Sequence, residues 1–366
     1  MSKILKKFTL RYLKSSVLNL ITTNNLLANK YRLYNKTLDY NKIDGEELIN
    51  IKDPIGQVFI AKKFNNVLVA ENTGCSLFED QNIYKKIDEY SGIANKNWVK
   101  ISIKPKPIKE INEIAINLIG VHKGYKHYFH IFFDYIIPLL FFLNRYQNQK
   151  ISILVRKDQN KVQKELYELI SENYKNIRFI FVEKGEFIKC QELIYIHYFH
   201  GAFYDYQRNS AISETITSLR DMLLKKYHIE EKQFAKKDLI YVSRKKARLR
   251  RTVNEKSFTT LLSKIGFKTV ILEDLSFKEQ IDCFFNAKLV VATHGAGLLN
   301  LIFAQKGLHF IEIFPKKFRG MDFFRIANIL NLNRIVHYEN NEIIWQCFYL
   351  RIKHIMPKIQ TILKSI

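Results

Sequence analysis

Hydrophobic patterning along the chain alternates between strand-like runs and helix-like segments. The runs "ISILVRKD" and "IRFIFVEKGE" are short and apolar, and the segment between them, "QNKVQKELYELISENY", has apolar residues at helical spacing. This order of strand, helix and strand is typical of a parallel α/β sheet. The same order begins again near residue 238, after a polar, charged stretch that ends near residue 234. The pattern therefore predicts two α/β domains in tandem.

The second α/β region is the more regular of the two. Four apolar runs predict strands, three segments between them predict helices, and Gly266 and Gly307 close two of these helices. The strands are expected at 238–244, 267–273, 288–293 and 309–315, and the helices at 255–266, 276–287 and 296–307. We place the first domain at 1–215, the second at 216–345 and a carboxyl-terminal helix at 346–366.

The amino-terminal region gives less regular patterns. Residues 57–74 predict two strands joined by a turn, and residues 108–150 form an apolar segment with a helical centre. Residues 1–20 place basic and apolar side chains on different faces of a helix. Such a helix either lies on an anionic membrane surface or packs on its own domain, and the pattern does not choose between these alternatives.

Length, composition and charge narrow the class of protein. The 366 residues exceed what one hydrophobic core usually organises, and 47% apolar with 13% aromatic residues excludes disorder over most of the chain. Lys plus Arg total 59 against 35 Asp plus Glu, a net charge of +24. This excess favours a nucleic acid, an acidic membrane surface or a phosphorylated small molecule as partner, although a coding bias toward Lys, Asn and Ile accounts for part of it.

Cysteine spacing and hydropathy indicate in which cellular compartment the protein is located. The four cysteines are widely spaced without a Cys-x-x-Cys motif, as expected of reduced core residues in a cytosolic protein. No run approaches the roughly 20 apolar residues of a membrane span, and the first twenty residues lack the continuous apolar centre of a signal peptide. We expect a cytoplasmic location and, from the charge, a peripheral position on the inner face of the membrane.

A histidine and two glycines follow the apolar run 288–293. His294, Gly295, Ala296 and Gly297 turn the chain into a predicted helix at the carboxyl end of a parallel strand, where open α/β sheets place ligands. Amides at a helix N-terminus favour an anion, and glycines let a phosphate approach the backbone. A Gly-x-Gly turn alone is more often structural, and this one matches neither common phosphate-binding pattern.

Two further sets of polar residues are expected at the same edge. Glu312 lies near the end of the next strand, where a carboxylate accepts hydrogen bonds from vicinal hydroxyls such as those of a ribose. An apolar strand delivers Arg244 to its carboxyl end, and Arg248, Arg250 and Arg251 follow. Arginines there can hold phosphate oxygens in a bidentate manner. The alternatives for this loop are a solvated basic surface and a nucleic-acid patch.

One polar pair interrupts the apolar segment "HYFHIFFDYIIPLL". His130 and Asp134 are four residues apart and therefore share a helical face. Burying such a pair is unfavourable unless its members bond to each other or face a cleft. Either residue is a candidate general base, and a self-satisfied internal pair is the alternative.

These residues together resemble a known family. The run "LIYVSRKKARLRRTVNE", followed by "LEDLSFKEQIDCFFNAKLVVATHGAGLLNLIFAQKGLHFIEIFP", is similar to the core of the family-61 glycosyltransferases, which include bacterial polysaccharide-biosynthesis enzymes. The strong resemblance covers residues 238–315, and a weaker one around His130 and Asp134 covers 124–140. The loop "KKARLR" is more basic than is usual in the family.

The resemblance implies a GT-B-like α/β fold of two Rossmann-type domains facing an interdomain cleft. It implies an inverting transfer of a hexosyl or pentosyl group from a nucleotide sugar, with UDP as the first choice of nucleotide. The acceptor would be a glycan or lipid-linked glycan of surface polysaccharide synthesis, such as capsule or lipopolysaccharide, bound to the amino-terminal domain. The donor-binding residues in the carboxyl-terminal domain would be Arg244, Arg251, Asn254, His294, Gly295, Ala296, Gly297, Asn300 and Glu312.

The sequence also predicts how the charge of the leaving diphosphate is neutralised and which residue is the base. The chain contains no Asp-x-Asp pair, the usual carboxylate clamp for a metal-bound diphosphate, so we expect no metal and no other cofactor. Arginines and helix amides would then neutralise the leaving diphosphate. Inversion needs a base on the side of the acceptor, and we expect it in the domain opposite the donor. Asp134 is the first candidate and His130 the second.

Two alternatives come from different classes of function. A basic nucleic-acid-binding protein would account for the charge and the arginine loop, with affinity that falls steeply as salt rises. No RNA-binding or helix-turn-helix signature is present and the charges are spread along the chain, so we expect no nucleic acid as partner. The other alternative is an inactive relative that serves as a scaffold.

Overall fold

The structure, a computed structural model, covers most of the chain beyond residue 126 and separate segments before it. The described residues are 34–37, 47–52, 58–70, 75–80, 83–87, 97–101, 109–119, 126–183, 186–195, 210–230, 238–315, 322–340, 343 and 346–366. The amphipathic helix expected at 1–20 lies outside them. Within these ranges, none of the helices combines the length and the hydropathy needed to cross a membrane.

The chain forms two compact units that alternate along the sequence. The amino-terminal unit consists of Met1–Tyr125, Arg145–Gln159 and Tyr174–Gly201, and the carboxyl-terminal unit of Lys126–Asn144, Asn160–Asn173 and Ala202–Ile366. Two helical segments from the first half of the chain thus belong to the carboxyl-terminal unit. The two compact units are discontinuous in sequence, whereas the predicted domains 1–215 and 216–345 are continuous. Those domain bounds stay a prediction.

The amino-terminal unit contains, among its described residues, one ten-stranded mixed sheet. Its strands are β1 Tyr34–Thr37, β2 Glu47–Lys52, β3 Val58–Ala70, β4 Cys75–Asp80, β5 Ile83–Ile87, β6 Asn97–Ile101, β7 Lys109–Asn117, β8 Ile151–Arg156, β9 Ile177–Val182 and β10 Phe187–Tyr195. The order is β1-β6-β5-β4-β3-β10-β7-β8-β9, and β2 pairs with β3. Among the described strands of this sheet, parallel pairing joins β10, β7, β8 and β9, and the other pairs are antiparallel. The antiparallel part distinguishes this unit from the Rossmann-type domain that we expected.

Strand β3 corrects the prediction of two strands and a turn at 57–74. It is a single strand of 13 residues that pairs with β10 on one side and changes its partner on the other. Its first part pairs with β2 as far as Lys63, and its last part pairs with β4 from Val67. Asn66, with a φ of 55°, lies between these pairings. The asparagine that suggested a turn therefore marks a change of partner and not a chain reversal.

The carboxyl-terminal unit contains a five-stranded parallel sheet. Its strands are β11 Asp238–Val242, β12 Phe267–Val270, β13 Ala287–Thr293, β14 His309–Pro315 and β15 Asn333–Glu339, in the order β12-β11-β13-β14-β15. The first four confirm predicted strands, and β15 was not predicted. Strand β13 is buried on both faces, which explains its nearly continuous apolar run. The order corresponds to the 2-1-3-4-5 pattern of doubly wound folds.

The helices of this unit are short to moderate in length. They are α1 Tyr128–His130, α2 Ile137–Leu143, α3 Lys161–Asn173, α4 Ser210–Lys226, α5 Glu255–Lys264, α6 Phe277–Phe285, α7 Asp322–Ile329 and α8 Ile352–Ser365. Helices α3, α5, α6 and α8 confirm predictions. Gly266, at φ +88°, follows α5 as expected of a helix-terminating glycine. Ser276 and Glu279 form a reciprocal cap at the start of α6.

Two described segments that contain candidate site residues have helical forms that the sequence did not predict. The helix expected at 296–307 is a 3₁₀ helix, Ala296–Phe303, which packs against α1, α4, α6 and α7. A π-helical turn, Ile131–Ile136, joins α1 to α2. Turns of this kind occur often at functional sites, and this one contains Asp134.

A buried cluster attaches helix α8 to the end of β15. The Oε1 atom of Glu339, which has no exposed surface, lies 2.7 Å from Nε2 of His337 and accepts the backbone N–H of Arg351 at 2.9 Å. Its Oε2 accepts Nε of Arg351 at 3.1 Å. Burial lowers the pKa of His337 below its usual 6.5, against the raising effect of Glu339. The folded protein therefore favours the neutral form of His337, which donates a hydrogen bond to Glu339.

The stability of the protein is expected to fall in acid partly through His337. As the pH drops below 6.5, the unfolded chain binds a proton at this histidine before the folded one does, so the free energy of unfolding decreases. Urea denaturation between about pH 7 and pH 5 should show this loss in the wild type and less of it in His337→Gln. The exposed His354 supplies the control, since His354→Gln should keep the wild-type dependence. Equal slopes for the wild type and His337→Gln would contradict the assignment.

Candidate functional site

The loops after β11 and β13 meet at the carboxyl edge of the parallel sheet. Arg244 follows β11 and Gly295 follows β13, and these two strands are neighbours. The chain continues from β11 toward one sheet edge and from β13 toward the other, which makes this the crevice where doubly wound folds bind ligands. A Cβ atom on Gly295 would lie 1.7 Å from Nη1 of Arg244. Gly295 therefore makes room for the Arg244 guanidinium.

Arg244 is held in place by its own loop. Its Nε and Nη2 donate to the Leu249 carbonyl at 3.2 and 3.1 Å. Burial, and secondarily the charge of Arg250, lower the pKa of Arg244 to about 10. The guanidinium consequently remains a cation near neutral pH, fixed in a partly desolvated position where it interacts strongly with an anion.

A contact within the protein also explains why residue 297 is a glycine. A Cβ on Gly297 would lie 2.6 Å from Cδ1 of Leu272, so its absence lets Leu272 pack against the turn. Gly295 has a φ of 171°, extended backbone that any residue adopts. Contacts with Arg244 and Leu272 thus suffice to explain both glycines. Their expected role in admitting a phosphate stays a prediction.

A buried ion-pair chain lies behind this turn. Nδ1 of His294 is 2.6 Å from Oε1 of Glu312, and Nε of Arg334 donates to Oε2 of Glu312 at 2.6 Å. The His294 ring stacks on Phe314 with centroids 4.8 Å apart. His294 is 5% exposed and Glu312 is 0% exposed. The arrangement fixes the orientation of the His294 imidazole.

The burial of Glu312 corrects one expectation. A carboxylate without exposed surface, with an oxygen bonded to His294 and the other to Arg334, does not face the hydroxyls of a bound ribose. Glu312 instead positions His294. Sequence reasoning missed Arg334 because β15 was not predicted. The alternation in "NRIVHYE" was a signal for that strand, although it did not identify the partner of Arg334.

Two asparagines among the predicted donor residues form internal bonds. Asn300 is fully buried, accepts the Tyr128 hydroxyl at 2.7 Å and donates to Gln280 and to the Gly297 carbonyl. Asn254 donates to the Leu350 carbonyl at 3.0 Å and accepts the Leu350 amide at 2.9 Å. Both side chains hold loops together, so direct contact with a donor does not fit their bonding.

Two other predicted residues are accessible. The Arg251 side chain is exposed and lines a cavity next to the start of α5, and Ala296 is half-buried at the turn. Of the predicted donor residues, Arg244, Arg251, Ala296 and Gly297 therefore provide accessible groups at this edge, while Asn254, His294, Asn300 and Glu312 support them from inside.

His130 and Asp134 form the expected pair. Nδ1 of His130 lies 2.7 Å from Oδ2 of Asp134, with side-chain exposures of 24% and 9%. The π-helical turn that contains Asp134 begins directly after His130. The two side chains are therefore bonded to each other, as one of the alternatives predicted. The His130 side chain nevertheless remains accessible to solvent.

The position of this pair corrects another expectation. We expected the base in the domain opposite the donor, yet residues 126–144 belong to the same compact unit as the turn 294–297. Tyr128 bonds to Asn300, and the rings of Phe129 and His294 both contact Phe323, at 6.1 and 5.1 Å. Burial raises the pKa of Tyr128 well above its usual value, which keeps its hydroxyl a donor. The fold thus brings the two motifs together across Phe323.

In the part of the chain that the structure describes, no three His, Cys, Asp or Glu side chains converge in a way that would hold a metal ion. A reaction without a metal or another cofactor stays a prediction from the sequence.

One of three comparisons with known proteins identifies a family. A family model described as Glycosyltransferase 61 matches residues 128–311, just over half of the 366-residue chain. No curated protein matches the chain. Among solved structures, the chain is similar to a glycosyl transferase of family 9 from Veillonella parvula DSM 2008, with 9% identity, coverage of 70% of this chain and 97% of that chain, and a TM-score of 0.36. A similarity at that TM-score carries no argument about fold or function.

Proposed function

Because the chain belongs to glycosyltransferase family 61 and is therefore a glycosyltransferase, we propose that it transfers a hexosyl or pentosyl group with inversion. The donor is a nucleotide sugar, a UDP-sugar in the first place, and the acceptor is a glycan or lipid-linked glycan of surface polysaccharide synthesis. The observation that carries the donor assignment is the Arg244 guanidinium, which is seated against Gly295 in the crevice between β11 and β13.

In this proposal Arg244 binds the diphosphate of the donor. Negative charge grows on the leaving oxygen as its bond to the anomeric carbon breaks, and a fixed guanidinium stabilises that charge without reorganising. The turn 294–297 lies beside it, and Glu312 with Arg334 holds His294 in a single orientation there. The proposal requires no metal ion or other cofactor.

We assign the general base to Asp134. It takes the proton of the acceptor hydroxyl while the oxygen of that hydroxyl forms its bond to the anomeric carbon. His130, 2.7 Å away, orients the carboxylate and is the second candidate for the base. Phe323 contacts both Phe129 and His294, and it therefore connects the pair of His130 and Asp134 with the turn 294–297.

The proposal includes a GT-B-like arrangement of Rossmann-type domains facing a cleft. The parallel sheet of the carboxyl-terminal unit and its strand order support the Rossmann part of it. A cytoplasmic enzyme attached peripherally to the inner face of the membrane is consistent with the net charge of +24.

A panel of nucleotide sugars and glycan acceptors tests the reaction. We expect release of the nucleotide from one donor class, UDP-sugars first, and a product whose anomeric configuration is opposite to that of the donor. Nucleotide release is measured by chromatography and the configuration by proton NMR. Arg244→Ala protein purified in the same way shows how much release comes from contaminating hydrolases.

Two results would change the proposal. A product with retained configuration would remove the inverting mechanism and, with it, the role of Asp134 as base. Absence of both turnover and nucleotide binding across the panel would favour an inactive scaffold with the same fold.

A further inference from the structure

The turn 294–297 is held by a network of amide side chains. Asn300, fully buried in the 3₁₀ helix, donates to the Gly297 carbonyl at 3.1 Å and to Oε1 of Gln280 at 3.2 Å. Gln280, in α6, donates in turn to the Leu272 carbonyl at 3.0 Å. Leu272 lies against Gly297, in the space that a Cβ would take. Three hydrogen bonds and one packing contact thus form a closed ring that includes Gly297.

Tyr128 links helix α1 to this network. Its hydroxyl donates to Oδ1 of Asn300 at 2.7 Å. The Gly297 carbonyl can only accept a hydrogen bond, so the amide nitrogen of Asn300 has to face it and the amide oxygen has to face Tyr128. Burial raises the pKa of Tyr128 well above its usual 10, so the hydroxyl stays protonated at neutral pH and remains a donor. The network therefore has one orientation, with Tyr128 at its end.

Aromatic contacts fix the ring that carries this hydroxyl. The centroid of the Tyr128 ring lies 5.2 Å from that of Phe132 and 6.4 Å from that of Phe277. Phe132 is fully buried in the π-helical turn, and Phe277 is the first residue of α6. A ring packed against two aromatic neighbours has little freedom to find another partner for its hydroxyl. Packing and the hydrogen bond together therefore set the position of α1 relative to the turn 294–297.

This position matters because α1 leads directly into the proposed base. His130 is the last residue of α1, and Asp134 lies in the π-helical turn that begins with the next residue. Helix α1 and the turn 294–297 belong to the same compact unit. In a transfer between two bound substrates, a misplacement of about 1 Å can cost about 10²-fold in rate. A hydrogen bond between the segment of the base and the segment of the donor turn has the geometry to prevent such a misplacement.

We propose that Tyr128 is a positioning residue of the transfer reaction, whose hydroxyl, through Asn300, fixes the distance between the pair of His130 and Asp134 and the turn 294–297. The assignment rests on the proposed function, since that function places the base and the donor at these two sites. Without the hydroxyl both sites persist but are misaligned. Water then attacks the anomeric carbon in place of the acceptor hydroxyl, and the donor is hydrolysed to nucleotide and free sugar.

The partition between transfer and hydrolysis tests the assignment. Tyr128→Phe removes the hydroxyl and keeps the ring. With the donor and acceptor that turn over in the panel, we expect transfer to fall by about tenfold to 10²-fold. Hydrolysis of the donor without acceptor should stay within about twofold, since the donor turn is unchanged. Chromatography of the nucleotide, the free sugar and the glycoside product measures both rates in the full chain. A merely structural loss would lower both rates equally.

Tyr227 provides the matched control. Its ring also packs edge-on against Phe277, with centroids 6.1 Å apart, but its hydroxyl bonds to Glu165 in α3. Tyr227→Phe therefore removes a tyrosine hydroxyl from the same aromatic cluster without touching the bond to Asn300. Both rates should stay at the wild-type level.

Hydrogen–deuterium exchange tests the coupling without turnover or ligand. In Tyr128→Phe we expect faster amide exchange in the π-helical turn Ile131–Ile136 and in the 3₁₀ helix Ala296–Phe303, because both lose the support of the same bond. Tyr227→Phe should leave the exchange of Ala296–Phe303 at the wild-type rate. Faster exchange throughout the parallel sheet would instead indicate a general loss of stability.

The two measurements separate this proposal from the proposed function. Equal falls in transfer and hydrolysis, an unchanged rate of transfer, or exchange that changes in one segment alone or throughout the sheet would overturn the role of Tyr128. Absence of transfer in the wild type, together with coupled exchange in Tyr128→Phe, would count against the proposed function and not against the coupling.

Discussion

Substituting asparagine for Asp134 is expected to lower kcat by about 10²–10⁴-fold, the usual contribution of a general base. The amide has nearly the shape of the carboxylate, so the π-helical turn should persist, but it cannot take the proton of the acceptor hydroxyl. The Kd of the donor should stay within about twofold, because the base acts on the acceptor. Nucleotide release at saturating substrates gives kcat, and calorimetry gives the Kd.

Helix α6 provides a matched control for this substitution. Asp282 forms an i,i+4 ion pair with Lys278 at 2.7 Å, the same spacing and distance at which Asp134 contacts His130. Asp282→Asn should retain activity and change the free energy of unfolding by only about 0.2–0.5 kcal/mol. A larger loss of kcat in His130→Gln than in Asp134→Asn would assign the base to His130. A loss below about threefold in both variants would remove the pair from the chemistry.

Alanine at position 295 is expected to reduce kcat about as much as the loss of Arg244, by roughly 10²–10³-fold. The added methyl group would overlap the Arg244 guanidinium, since its Cβ falls 1.7 Å from Nη1. A flexible side-chain end can move away, so the loss of folding free energy should not exceed about 1–3 kcal/mol. The displaced cation would no longer face the diphosphate. Steady-state kinetics and urea denaturation measure the two effects separately.

A double-mutant cycle makes this prediction specific. If Gly295→Ala acts by displacing Arg244, the double variant with Arg244→Ala should be no less active than Arg244→Ala alone. Gly307→Ala is the control for strain, because Gly307 has φ +80° and open space around its Cβ position. It should lower stability by about 1–3 kcal/mol and preserve kcat. Additive losses in the double variant would show that Gly295 acts independently of Arg244.

Local patterns predicted much of the carboxyl-terminal unit. The apolar runs gave β11, β12, β13 and β14, and the order of the motifs indicated the family. The spacing of His130 and Asp134 predicted a shared helical face, and the bond between them was one of the two alternatives left open. These features depend on residues close in the chain, where strand alternation and helical spacing are direct consequences of backbone geometry.

Long-range relations were not predictable from one sequence. The carboxylate of Glu312 appeared free to bind a ligand because its partner Arg334 lies on an unpredicted strand 22 residues later. The 3₁₀ and π-helical segments, Ala296–Phe303 and Ile131–Ile136, span too few residues for their periodicity to differ visibly from that of an α-helix. The steric contacts of Gly295 with Arg244 and of Gly297 with Leu272 join residues distant in the chain, so no local pattern in the sequence indicated them.

The alternation of the two units along the chain has a consequence during synthesis. Tyr128 finds its partner Asn300 only 172 residues later, an interval of roughly ten to thirty seconds on the ribosome. Helix α2, whose seven residues are all buried in the finished protein, packs against α4, which is synthesised well before Asn300. The buried helix can therefore find its partner early, whereas the bond of Tyr128 has to wait. The proposed base is made early, and it becomes part of a working site only when the second half of the chain arrives.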